Sequence, residues 1–295
     1  MSKYDYICSL GYRCTSAGIL KSLGLKAESY PFDWMVSRLP LIEHCVKNDF
    51  VEFLNQDNYT NKIESATYDY PTTDPESRQW ICNESIRINE FYKTDITDSM
   101  HLHLAPYLST DYDAYSHNLM MNHHDITTEK DHEYYKRCVI RWLNMWQSPG
   151  KKLSLYIHPM LFLEHFNQIR DDLQSEIRKF HRSFSNICNP SLGGTNDEVY
   201  DGTNDGTNDE VYDGVYIIPV KTPYDSPTNH CAKYVLEEQS DDTLTPNCRI
   251  CILWTNPRFI DAGEIFMGEC STETYVVKDY IRKIAEAGAL PKVLT

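Results

Sequence analysis

The 295-residue chain contains no apolar run approaching the roughly 18 residues that a membrane span requires. It begins Met1-Ser2-Lys3-Tyr4-Asp5 and enters strand-like sequence at once. The basic region and apolar stretch of a secretory leader are missing, so a cytoplasmic location is expected. Bases are scarce: 28 Lys and Arg stand against 43 Asp and Glu, a net charge of −15. This deficit argues against nucleic acid, whose phosphates need clustered cations, but not against an anionic small molecule held by a local site. Cys248-Arg249-Ile250-Cys251 has no second pair to complete a zinc site and lies in a strand-like run, so structural use is expected. The ten cysteines are expected to be mostly reduced thiols in the core. Disorder is excluded by 41% hydrophobic residues and 21 tyrosines.

What is present is concentrated in the first forty residues. A strand from Tyr4 to Leu10 is broken by Gly11, Cys14 opens a helical stretch to Leu23, and Gly24 closes it. Ser29-Tyr30-Pro31-Phe32-Asp33-Trp34 follows. A thiol at a helix start faces the positive end of the helix dipole, which favours thiolate. The same free N–H groups form a phosphate pocket, so two unlike chemistries are open.

Ser9-Leu10-Gly11-Tyr12-Arg13-Cys14, the helix end Leu23-Gly24-Leu25-Lys26 and the Ser29–Trp34 motif resemble a family of unknown function in bacteria and large DNA viruses, labelled papain-like cysteine peptidase. The chain is also similar in kind to chlorovirus glycosyltransferases that build capsid glycans. The resemblance is specific over residues 4 to about 54 and looser around 120–160.

Downstream, helical spacing predicts helices over 39–54 and 130–147, the latter capped by Thr128 with Asp131 three residues on. The second carries a stripe of Tyr135, Cys138, Val139, Trp142, Leu143 and Trp146. Residues 55–128 read as an irregular, aromatic-rich insertion with strand-like pieces around Trp80 to Ile88. Lys152–Ile157, Val215–Val220 and Arg249–Trp254 read as strands, with helices from Pro159 to Phe184 and from Thr272 to Ala287. This alternation predicts a single α/β domain over 1–295, Rossmann-like, with a mainly parallel sheet flanked by helices.

Thr195–Gly202 recurs identically at Thr207–Gly214, and the span 191–214 reads as a flexible acidic loop. Calcium is a weaker reading, because the spaced ligands and closing Glu of a known calcium loop are missing.

For a peptidase, Cys14, His158 and Asn256 give the order Cys, His, Asn. The local signatures differ, however: no Gly-Ser-Cys precedes Thr15, and Asn256 is followed by Pro257. The residues alone favour Cys14 as a small packing residue. For glycosyl transfer, the Gly11 turn with Arg13 can hold a diphosphate, although it is neither G-x-G-x-x-G nor a Walker loop. Asp33 between Phe32 and Trp34 is either a general base or a helix cap. His124, in His123-His124-Asp125, is a second candidate base, with surface polarity the alternative. Arg137 and Arg141, spaced i, i+4, suit phosphates or solvent. Asp111-Tyr112-Asp113 fits a metal-binding DxD, a pattern expected by chance among 43 acids, so no metal is assigned.

The leading expectation is an inverting glycosyltransferase that uses a nucleotide sugar, UDP-xylose if the chlorovirus likeness holds, and a glycan acceptor. Arg13 and Gly11 would hold the diphosphate, Asp33 or His124 would act as base, and Phe32 and Trp34 would pack the sugar. Cys14, Arg137, Arg141 and His158 complete the expected substrate contacts. The alternative is a cysteine peptidase using Cys14 and His158. A viral protein of this kind would work in the host cytoplasm.

Overall fold

The computed structural model describes residues 2–11, 14–69, 79–92, 119–121, 124–158, 161–188, 212–221, 234–239, 247–255 and 273–288. The central sheet is built from β1 (Tyr6–Ser9), β6 (Lys152–Ile157), β8 (Tyr212–Lys221), β10 (Cys248–Thr255) and β9 (Tyr234–Gln239), in that spatial order. The short β7 (Leu161–Phe162) also pairs with β8. All pairs are parallel except β9, which runs antiparallel to β10 along one edge.

Both faces of this sheet are covered, which is why β6 is buried along its whole length. Successive residues point to opposite faces. Ile7, Leu153, Leu155, Val215, Ile217 and Leu253 enter one core, with Ile19 and Leu20 of α1 (Cys14–Ser22) and Ile281 and Ile284 of α6 (Glu273–Ala287). Cys8, Tyr156, Tyr216, Ile218 and Ile252 enter the other. There they meet Tyr135 and Trp142 of α4 (Glu129–Gln147) and Phe166, Phe180 and Phe184 of α5 (Leu163–Cys188). Each large side chain buried this way contributes roughly 1.5–3 kcal/mol. The mainly parallel, helix-flanked α/β architecture expected from the sequence is therefore present.

Thr128 caps α4 by accepting the Asp131 N–H at 3.3 Å. The helix expected over 39–54 is two helices, α2 (Leu39–Lys47) and α3 (Val51–Leu54). Between them Asp49 and Phe50 adopt left-handed backbone, at φ 49° and 59°. This break turns Phe50 into the core, where it lies against Phe32 and Phe53.

The insertion holds more regular structure than its sequence suggests. β3 (Tyr59–Asp69) and β4 (Gln79–Asn89) pair residue for residue along their full length. With β5 (Leu119–Met121) and β2 (Met35–Ser37) they form a four-stranded antiparallel sheet, ordered β2-β5-β4-β3. Thr60-Asn61-Lys62 and Glu64-Ser65 break the hydrophobic alternation that would announce a strand, so the ladder is set by backbone pairing.

The strand expected from Val215 begins at Tyr212, inside the second repeat copy, so the end of the 191–214 segment is core strand rather than loop. Tyr212 stacks on His181 with ring centroids 4.9 Å apart, and Asp213 accepts a hydrogen bond from the Tyr4 hydroxyl. A β-carbon at Gly214 would stand 2.7 Å from His181 Nδ1. The polar repeat conceals these buried roles. Residues 191–211 lie outside the described residues, as does Pro159, where a helix start was expected. Among the described residues no helix is long and apolar enough to cross a membrane.

Candidate active site

Parallel strands deliver their following loops to one edge of the sheet, the usual ligand edge of open α/β folds. Here β1 and β6 are neighbours, with Ser9 in register with Leu155. The pairing extends one residue further, as the Leu10 N–H donates to the Leu155 carbonyl at 2.9 Å. β6 then ends at Ile157, and the His158 N–H donates to the Ile217 carbonyl of β8 at 2.8 Å. The turn at Gly11 and the residue leaving β6 thus emerge side by side. Cys14 is the first residue of α1, and His158 is half-buried, its ring centroid 6.5 Å from that of Tyr156.

Three serines fix this turn. The Gly11 N–H donates to Ser9 Oγ at 3.0 Å, and Ser16 Oγ donates to the Gly11 carbonyl at 3.0 Å. Ser9 and Ser16 oxygens are 2.7 Å apart. The single Ser16 proton is committed to Gly11, so the Ser9 hydroxyl donates to Ser16 and the loop of bonds closes. Ser37 Oγ donates to the Leu10 carbonyl at 3.1 Å. Gly11 has φ +83°, a conformation that favours glycine. These serines were not singled out in the sequence, because isolated hydroxyls carry no pattern until the fold brings them together. The Gly11 N–H, expected to hold a phosphate, is instead engaged by Ser9.

Asp33 is fully buried. Its Oδ2 accepts the Tyr30 N–H at 2.7 Å and pairs with Lys26 Nζ at 2.7 Å. Burial pushes the carboxyl up to about 6 against the pull of Lys26. Oδ1 has no hydrogen-bond partner among the described residues. Lys26, the partner missed in the sequence, also donates to the Glu28 carbonyl at 2.6 Å and so ties down the segment before the motif. Phe32 is fully buried too, its ring edge-on to Trp142 at 5.3 Å. These placements correct the transferase assignments: Asp33 has no exposed oxygen for an acceptor hydroxyl, and Phe32 offers no free face to a sugar. Both anchor the Ser29–Trp34 motif because the motif crosses the aromatic core. Trp34 is half-buried, with Lys21 Nζ 6.0 Å from its ring centroid.

Arg141 donates to the Ser29 carbonyl at 2.7 Å, while Arg137 is exposed, so the two do not converge as a phosphate clamp. His124 stacks on Tyr134 at 4.6 Å, with Nδ1 3.5 Å from Asp131 Oδ1. Asp125 receives the Arg87 guanidinium, Nε at 2.7 Å, which holds its carboxyl below the usual range. His124 therefore sits in a packed polar junction between β4 and α4. Among the described residues no group of three or more His, Cys, Asp or Glu is arranged to hold a metal ion. Arg13, His123, Asp111–Asp113 and Asn256 lie outside the described residues.

The chain is similar to uncharacterized protein R408 of Acanthamoeba polyphaga mimivirus, 36% identical over 86 residues. That match covers 29% of this chain and 37% of the relative. No solved structure matches the chain. The model of the family described as "Putative papain-like cysteine peptidase (DUF1796)" matches residues 5–187, more than half of the chain, and the chain belongs to that family.

Proposed function

We propose that this chain is a cysteine hydrolase of the peptidase kind, with Cys14 as nucleophile and His158 as base. The observation that carries the reading is the adjacency of β1 and β6, the strands that precede Cys14 and His158 in the chain. The family description supports the same chemistry.

In this reading His158 takes the Cys14 proton, and the amides at the start of α1 favour the thiolate. The sulfur attacks a carbonyl carbon, and the C–N bond breaks as His158 returns its proton to the leaving amine. Water, deprotonated by His158, then cleaves the thioester and restores the thiol. Asp33 acts on the fold rather than the reaction. Glycosyl transfer finds no support in its expected residues, since Asp33 and Phe32 are buried and Arg141 is engaged by Ser29.

The test is hydrolysis of a mixed pool of quenched fluorescent peptides by the wild-type chain, Cys14→Ala and His158→Ala. Turnover lost in both variants, with their melting temperatures unchanged, supports the assignment. Turnover retained in Cys14→Ala removes it.

A further inference from the structure

We propose that the free edge of β1 is a docking groove for an extended, positively charged polypeptide segment, which adds to the sheet as a further strand. β1 ends the strand order and pairs with β6 alone among the described strands. The N–H groups of Tyr6 and Leu10 donate to Lys151 and Leu155 at 3.1 and 2.9 Å, so the alternate residue Ile7 turns its N–H and carbonyl away from β6. Among the described residues neither group of Ile7 has a partner on that outer side.

A cavity of about 700 Å³ lies along the first part of this edge, where Tyr4, Asp5, Tyr6 and Ile7 line it. It is walled by Leu23 and Leu25 at the end of α1, by Tyr30, and by the last turns of α6. The segment 24–30 joins the two faces of the sheet, because α1 packs with one core and Tyr30 with the other. The cavity is the space left between that segment and the strand.

The two sheet edges are treated differently. β9 carries Glu237 and Glu238, the charges that ordinarily discourage strand addition. Tyr6-Ile7-Cys8-Ser9 carries no charge, proline or glycine. The charges of the groove lie on its rim, where Asp5, Glu28 and Glu286 face one base, Arg282, which is itself 3.8 Å from Asp279. A second copy of this chain, with net charge −15, would set these carboxylates against themselves. A segment alternating bases with apolar residues satisfies both the carboxylates and the Leu23–Leu25–Tyr30 wall. Main-chain hydrogen bonds then supply affinity, and alternate side chains supply selectivity.

The experiment is fluorescence anisotropy of the full chain with labelled Lys-Val-Lys-Val-Lys-Val, alongside the same peptide N-methylated at alternate amides. The expected result is salt-sensitive binding, weakened about tenfold by N-methylation through the loss of one or two main-chain bonds. The double variant Glu28→Lys/Glu286→Lys, altered only at exposed positions, is expected to weaken binding to a similar extent. Absence of binding, equal binding of the N-methylated peptide, or indifference to the double variant would overturn the proposal. So would self-association of the chain that the peptide dissolves, or binding gained only on removal of residues 289–295, because each assigns the groove to another occupant.

Discussion

A β-carbon on Gly11 would stand 2.1 Å from Ser37 Oγ and 2.8 Å from the Phe32 carbonyl. Gly11 is thus pressed between β2 and the aromatic motif. Gly11→Ala adds left-handed strain of ~1–2 kcal/mol to an overpacking cost of ~1–3 kcal/mol. Urea unfolding is expected to show a loss of about 3 kcal/mol, with an unchanged m-value.

The serine loop predicts a separable effect. Ser16→Ala removes the donor to Gly11 and the acceptor for Ser9, costing about 1–3 kcal/mol where the freed groups stay buried. In the proposed hydrolase, kcat is expected to fall while KM stays near wild type, because the turn is misaligned but the substrate contacts persist. Peptide kinetics on the folded variant measure this split. A change in KM alone contradicts the positioning role.

Two buried groups make opposite contributions to stability as pH changes. Asp33 has its folded value raised from 3.8 to about 6 by burial, so the native state holds the proton more tightly. Its contribution falls as pH rises from about 4 to 6, by on the order of 3 kcal/mol. His181 is pushed down from 6.5 to about 3, chiefly by burial, so the unfolded chain binds the proton first. Its contribution is lost as pH falls from about 6.5 toward 3, by on the order of 4 kcal/mol. The wild-type profile between pH 4 and 6 is therefore expected to be flatter than that of either variant. Asp33→Asn should lose stability steeply on acidification, and His181→Gln should lose it on raising the pH. Unfolding at half-unit pH steps tests both, and parallel profiles for the three proteins contradict the assignment.

Asp49 is exposed and left-handed at φ 49°, so Asp49→Gly is expected to stabilise the chain modestly, by ~0.4–1 kcal/mol. Phe50 has the same backbone hand but fills the core, so Phe50→Gly is expected to cost several times that amount. Thermal unfolding of the two variants distinguishes backbone strain from packing.

Much of the fold was legible because hydrophobic runs and helical stripes survive in single sequences. β6 matched its expected bounds, and the Thr128 cap and the Tyr135–Trp142–Trp146 stripe of α4 were plain. β3 was obscured because Asn61 and Ser65 stand where an alternation through Tyr59 and Ile63 calls for apolar residues. β8 was shortened because Tyr212-Asp213-Gly214 belongs to a repeat whose composition reads as loop. The proposed site stood in the sequence as two separate points, Cys14 after a strand and His158 after another. That the strands before them are neighbours depends on β1 pairing with β6 across more than 140 intervening residues, a relation no local spacing encodes. Asp33 stood out between two aromatics, but the fold buries it, and its real partner, Lys26, lay in the separate helix-end segment Leu23–Lys26.

The most direct test of the Cys14–His158 pairing is the rate of Cys14 alkylation by iodoacetamide across pH 4 to 10, read by peptide mass spectrometry in the wild type and in His158→Ala. A coupled pair predicts fast alkylation persisting well below the ordinary thiol range of about 8.5, and a return to that range in His158→Ala. An ordinary thiol profile, identical in both proteins, would contradict the account.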